Sequence, residues 1–358
     1  MHAGQSFIRW FPELSLADRP AVGGKSASLG ELTRAEVPVP PGFVVTTAAF
    51  EEFLASTDPR GEIRAEIAAL DRHDPVRVAS VSERIRERLT AAPVPRGIAS
   101  SICENYRTLS GNDGGCPVAV RSSATCEDSA TASFAGLQDT YLWILGEDDL
   151  ISRVRACWAS LYNSESITYR LRLGLPEGLL AMAVVVQQMI DALCAGVMFT
   201  RSPTTGDRSV VVIEGSWGLG SCIVSGEVTP DRFVVNKVTG EIVSRNVSPK
   251  IIEHVPDRSV GGVRELTVDS VRQSAACMTD AVIGCLWQIA RRVEQHYGHP
   301  QDIEWAVSRE PALPASVYLL QSRPETVWAN REKTPAAKPA EKAFDHIVNL
   351  MSARKSRS

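Results

Sequence analysis

The run Val118-Ala119-Val120-Arg121-Ser122-Ser123-Ala124-Thr125, continued by Glu127, Asp128 and Ser133-Phe134-Ala135-Gly136-Leu137-Gln138-Asp139-Thr140, constrains this chain more than any other. A short apolar segment ends in an arginine, then in small hydroxyl and glycine residues, and then in the extended, aromatic-bearing segment from Thr140 to Leu145. That order reads as a buried strand delivering a fixed cation to the mouth of a cleft, followed by a small-residue loop able to fold over phosphates. The rest of the chain must supply the other walls.

With 358 residues, 44% of them hydrophobic and 22% charged, the chain has enough apolar material for two lobes or two domains. Its net charge of -4 leaves no basic footprint, which argues against extended nucleic-acid binding; an anionic small molecule would need local positive charge. Met1 to Trp10 holds no apolar core of signal-peptide length, and no later run approaches the roughly 20 apolar residues of a membrane helix. A soluble, cytoplasmic protein is the expectation. The eight cysteines are scattered without a CxxC pair, as reduced and mostly buried thiols would be.

Val22-Gly23-Gly24-Lys25-Ser26-Ala27-Ser28-Leu29-Gly30 puts two glycines before a lysine and a helix-compatible run. Such a segment suits a phosphate approached by backbone and a point charge, and it equally suits a plain turn. Val37 to Thr46 reads as a proline-rich connection entering a strand, with Thr46-Thr47 as a helix cap. From about Glu62 to Leu109 the pattern is helical, and Asp148-Asp149 open another helix with one apolar stripe. Met182 to Ile190 and Ala195 to Thr200 read as strands joined by a turn at Asp191 to Cys194; the consecutive valines suit burial on both faces. Val210 to Glu214 is a further strand, and Gly215 to Gly220 is either a tight turn or a phosphate contact. A hairpin turns at Thr239-Gly240, and the longest helix runs from Val268 to Tyr297, stopped at Gly298.

Gln301 to Val307 and Ser316 to Pro324 alternate with period two and are joined by a short connection, which predicts an antiparallel pair. If Glu304 lies opposite Gln321, then Asp302 lies opposite Arg323 and all four share one face. That face is either a binding wall or an exposed edge carrying a salt bridge.

The Gly-Gly-Lys segment with Lys25, the VRSSA of Arg121, the SFAG loop, GVMFTRSPTTGD, DIEW and QSRP occur here in one order. Together they resemble the N-terminal nucleotide-binding region of phosphoenolpyruvate synthase, pyruvate phosphate dikinase and rifampin phosphotransferase, over roughly residues 15 to 328. The resemblance implies an α/β (α+β) ATP-grasp fold of two lobes, with mixed and antiparallel sheets flanked by helices. The lobes would span 1–190 and 191–330, with a linker-like tail over 331–358.

It also implies roles. Lys25 and Arg121 would neutralise ATP phosphates; Gly136 and Thr140 would sit over the nucleotide; Gln187 would lie on the adenine side. Glu304 and Gln321 would hold Mg2+, and Arg323 would reach a phosphate, making Lys25, Arg121 and Arg323 the catalytic set. Asp302 and Arg201 match positions near the phosphates. The family's swivelling domain, with its phosphate-accepting histidine, and its acceptor-binding domain have no counterpart here, and none of His2, His73, His254, His296, His299 and His346 stands in the Thr-Ser-His type of context. The expected protein is therefore the ATP-binding subunit of a split dikinase-type phosphotransferase, similar to phenylphosphate synthase. It would bind Mg-ATP and pass the β-phosphoryl group to a histidine on a partner subunit that also binds the small-molecule acceptor. A non-catalytic nucleotide-sensing or scaffold module is the alternative, and an autonomous ATP-grasp ligase a third.

Overall fold

A computed structural model describes residues 6–111, 115–125, 139–310 and 312–328. In chain order its first elements are β1 (Ile8–Trp10), α1 (Arg19–Arg34), β2 (Gly42–Val45), α2 (Thr47–Thr57), α3 (Glu62–Ala68), α4 (Pro75–Ala91), α5 (Arg96–Ser110), β3 (Val118–Ala124), β4 (Thr140–Ile144), α6 (Glu147–Ser160), α7 (Ser164–Leu173), β5 (Met182–Gln188) and β6 (Ala192–Phe199). Then come β7 (Val210–Trp217), α8 (Ser221–Val224), β8 (Asp231–Asn236), β9 (Ile242–Asn246), β10 (Ile252–Pro256), β11 (Val263–Thr267), α9 (Ser270–Gln273), α10 (Asp280–Tyr297), β12 (Gln301–Ser308) and β13 (Val317–Pro324).

The first sheet has the order β1-β2-β5-β3-β4, the second β13-β12-β6-β7-β8-β9, and β10 and β11 form a hairpin of their own. Neighbouring strands are antiparallel throughout, so mixed pairing is confined, among the described residues, to one isolated parallel bridge between Gly218 and His254. These elements all belong to the unit that ends at Glu325.

The valine run of β5 is explained by its neighbours. Val184 and Val186 point into a core shared with Phe43, Phe50, Phe53, Ile85, Ile102 and Trp158, whereas Ala183 and Val185 pack on the opposite face against Val22, Ala27 and Leu29 of α1. Phe53 stacks on Trp158 with ring centroids 4.8 Å apart, and both are fully buried. Burying each such ring contributes roughly 1.5–3 kcal/mol. The second sheet packs Met198, Ile213, Phe233, Trp305 and Leu319 against Ile283, Leu286 and Val293 of α10.

Helix α1 joins the two cores. Its first part lies on the first sheet, while Leu32 and the following Val37 are buried with the second sheet's cluster. The helix is broken at Gly23, which has φ 75° and ψ 173°. A Cβ there would stand 2.1 Å from the Ser123 carbonyl oxygen, so the backbone of α1 meets β3 at a distance only glycine permits.

Several sequence expectations shift. The long helix starts at Asp280 rather than Val268, because Asp269 caps the four-residue α9 and Thr279 caps a separate α10; Gly298 ends it at φ 71°. The segment 62–109 divides into three helices at Ala69–Asp74 and Ala92–Pro95, where Asp74 and two prolines start new turns. Strand β6 begins at Ala192, leaving a shorter turn, and β7 continues through Trp217, so only Gly218 to Gly220 turn. Buried thiols match the reading of the cysteines: Cys116, Cys157, Cys194, Cys222 and Cys277 are buried, and those described are free. No helix among the described residues is long and apolar enough to cross a membrane. The tail beyond Trp328 lies outside the described residues.

Replacing Gly23 with alanine should cost about 2 kcal/mol or more, since a left-handed residue and a clash with β3 coincide. Urea unfolding of Gly23→Ala against the parent chain measures it.

Candidate functional site

The break at Gly23 restarts α1 directly before Lys25, and a serine from another element caps the new start. Ser123 Oγ donates to the Val22 carbonyl at 3.0 Å and accepts from the Ser26 amide at 3.2 Å. It satisfies one of the donors that a helix start leaves over. Lys25 Nζ donates to the Ser122 carbonyl at 3.0 Å, so the lysine lies alongside β3. Further along α1, Ser28 Oγ donates to the Ser322 carbonyl at 2.6 Å, Ser322 Oγ donates to Gln301 Oε1 at 2.8 Å, and the Gln301 amide donates to Thr200 Oγ1 at 2.9 Å. This buried relay ties the lysine helix to β13, to the start of β12 and to the end of β6.

Arg121 occupies the middle of β3, opposite Val185 on one side and Thr140 on the other. Its side chain crosses to the second sheet. Nη2 donates to Glu304 Oε2 and to Gln321 Oε1, both at 2.8 Å, and Nη1 donates to the Leu320 carbonyl at 3.0 Å. That third acceptor exists because of an irregularity: Glu304 pairs with Gln321 and Trp305 with Leu319, so Leu320 has no partner on β12. The anticipated register is observed, with Asp302 opposite Arg323.

Arg323 Nε lies 3.5 Å from Asp302 Oδ2. Burial pushes the Asp302 carboxyl up to about 6; Arg323 acts against that shift, and Glu325 adds to it. Arg201 Nε donates to the Gly206 carbonyl at 2.9 Å, and its Nη1 lies 3.5 Å from Glu325 Oε2. Thus Arg121 pairs with Glu304, Arg323 with Asp302 and Arg201 with Glu325, while Lys25 lies alongside β3 at Ser122.

Glu304 and Gln321 present two oxygens to one cationic point, the donor set a hard divalent ion takes, and so they fit Mg2+. Among the described residues no group of three or more His, Cys, Asp or Glu could hold a metal. An ion here would complete its shell with waters and phosphate oxygens.

The remaining expected residues are placed less directly. Thr140 is exposed at the start of β4 beside Arg121. Gln187 is 2% exposed, and its Nε2 donates to the Pro40 carbonyl at 3.3 Å, so its side chain ties β5 to the chain entering β2 rather than lining an open surface. Just beyond it, Met189 and Ile190 pack with Ala195, Leu219, Ala306 and Leu320 in a small apolar cluster. Gly136 and the SFAG loop lie outside the described residues. At Gly218–Gly220 the amides of Gly218 and Leu219 donate to the carbonyls of Leu193 and His254, so both are taken by backbone partners. His296 Nε2 lies 2.7 Å from Glu31 Oε1, as a basic residue at a helix end does.

Sequence reasoning passed over Ser28, Ser123, Gln301 and Ser322. The pair of serines after Arg121 is the available signal; the bonds of Ser123 and Ser28 span about a hundred residues or more and leave no local pattern.

A family profile described as the pyruvate phosphate dikinase AMP/ATP-binding domain matches residues 19–343. The chain belongs to that family. A probable phosphoenolpyruvate synthase of Staphylothermus marinus is 40% identical, across 97% of this chain and 45% of its own length. Another, from Methanothermobacter thermautotrophicus, is 41% identical across 94% of this chain and 48% of its own length. A third, from Methanocaldococcus jannaschii, is 40% identical across 93% of this chain and 28% of its own. The chain thus spans less than half the length of these relatives. Family membership makes it a nucleotide-binding domain of the phosphoenolpyruvate synthase type, and the α/β fold described above is the one expected for it.

A raised carboxyl binds its proton more tightly in the native chain than in the unfolded one. Stability should therefore fall as pH rises from about 4 to about 6. Asp302→Asn should flatten that slope, read by urea unfolding in EDTA across the interval.

Proposed function

We propose that this chain is the ATP-binding part of a dikinase-type phosphotransferase. It would bind Mg-ATP between the two sheets, treated as the two lobes, and support passage of the β-phosphoryl group to a histidine on a partner subunit. AMP leaves, and phosphate follows with the uptake of water. The observation that supports the reading best is the contact of Arg121 with both Glu304 and Gln321, next to the Asp302–Arg323 pair on the same two strands.

Each residue has a task that its placement suits. Lys25, at the start of a capped helix, adds a point charge to the helix's own positive end, where phosphate oxygens are favoured. Arg121 offers a planar fork able to take two oxygens as charge shifts between phosphoryl groups. Arg323 and Arg201 stand at the far side of the same edge. Glu304 and Gln321 would hold Mg2+, which supplies charge neutralisation between adjacent phosphates. The apolar cluster of Met189, Ile190 and Leu219 offers a surface for the base, beside the position expected from Gln187.

The named relatives point to phosphoenolpyruvate synthase chemistry. A phenol-phosphorylating system is a narrower form of the same proposal, differing only in the acceptor, which the partner would bind.

The test supplies magnesium and ATP labelled at the β-phosphate to the chain purified gently from its native host. Acid-labile label on a different, co-purifying polypeptide is the expected result; ATP binding with no label transferred would favour a nucleotide-sensing module instead. Arg121→Ala should retain nucleotide binding and lower transfer by about 100-fold or more, and an active Arg121→Ala chain would count against the proposal.

A further inference from the structure

We infer that Arg121 makes this site selective for a divalent cation that arrives already bound to a polyphosphate, and bars the free ion. The inference rests on the nucleotide reading above and adds to it an order of loading.

Its basis is that one guanidinium nitrogen takes both oxygens a metal would need. Arg121 Nη2 stands 2.8 Å from Glu304 Oε2 and 2.8 Å from Gln321 Oε1, while Nη1 is held at 3.0 Å by the Leu320 carbonyl. Three acceptors from one sheet thus pin a side chain that comes from the other. Arg121 is also the more enclosed partner, its side chain 13% exposed against 35% for Glu304.

A bare divalent ion entering between Glu304 and Gln321 must expel this guanidinium and offers it nothing in exchange. The arginine would be left partly buried beside a second cation, which is costly twice over. A metal–triphosphate complex behaves differently because it is a net anion. Its phosphate oxygens give the guanidinium a bidentate partner as its bonds to Glu304 and Gln321 are surrendered. Arg121 therefore exchanges one set of oxygens for another, and the metal takes the oxygens it releases.

The experiment is a titration of Mn2+, followed by the electron paramagnetic resonance signal of the unbound ion, with and without ATP. Wild-type chain should take up Mn2+ with ATP and bind the ion weakly without it. Arg121→Met, similar in length and uncharged, should tighten nucleotide-free Mn2+ binding by at least about tenfold. Adding Glu304→Gln to that variant should abolish the gain, placing the ion at this carboxylate. Arg121→Lys keeps the charge and cannot span both oxygens as a fork, so it should give a smaller gain in the same direction; it decides the matter if the methionine variant does not fold. Unchanged Mn2+ affinity in these variants, with Mn·ATP uptake by the wild type intact, overturns the inference alone. A gain that survives Glu304→Gln also overturns it. Wild-type chain that takes up neither ATP nor Mn·ATP overturns the nucleotide reading and the inference together.

Discussion

The ion pair between Arg121 and Glu304 is the constraint on which the candidate site depends. It joins a strand of the first sheet to a strand of the second, and its geometry requires a deformation in the second, where β13 carries the extra residue Leu320. Because Arg121 is mostly enclosed and hydrogen-bonded to three oxygens, its charge is compensated well enough for a partly buried position. An exposed pair of the same length would contribute little. This one ties the two sheets to each other at the candidate site.

Much of this was legible beforehand, and the reasons differ from element to element. Strand β5 declared itself through consecutive valines, since burial on both faces leaves no room for alternation. Given Glu304 opposite Gln321, which the sequence leaves as an assumption, Asp302 opposite Arg323 follows from the constant sum that antiparallel partners keep, and the irregularity falls just past those pairs, after Glu304. The start of α10 is hidden in the sequence because Val271 and Ala275 continue its apolar stripe, although the caps at Asp269 and Thr279 divide the segment. Caps are single hydrogen bonds, and a periodic pattern overrides them when only the sequence is in view.

Less of the site was legible. The polar relay from Ser28 through Ser322 and Gln301 to Thr200 joins residues whose types are ordinary and whose separations are long. Likewise, nothing local to Ser123 announces that its hydroxyl caps a helix that begins about a hundred residues earlier. Ser123 and Ser322 lie inside two of the six segments that carry the family resemblance, yet the roles the resemblance implies fall on the residues expected at phosphates or metal and not on these serines. Gln187 illustrates the other limit: its position was anticipated, but its side chain turns inward to Pro40.

Helix α1 has Val22, Ala27 and Leu29 in one hydrophobic cluster and Leu32 in another. Neither sheet can complete its core without a part of this helix, so the two cannot melt as independent bodies, and protection of the α1 amides against hydrogen exchange reports on the whole unit. Lys25 accordingly sits on an element that both clusters share. A rearrangement that admitted or released a nucleotide by shifting one sheet against the other would have to act on this shared helix and on the lysine it carries.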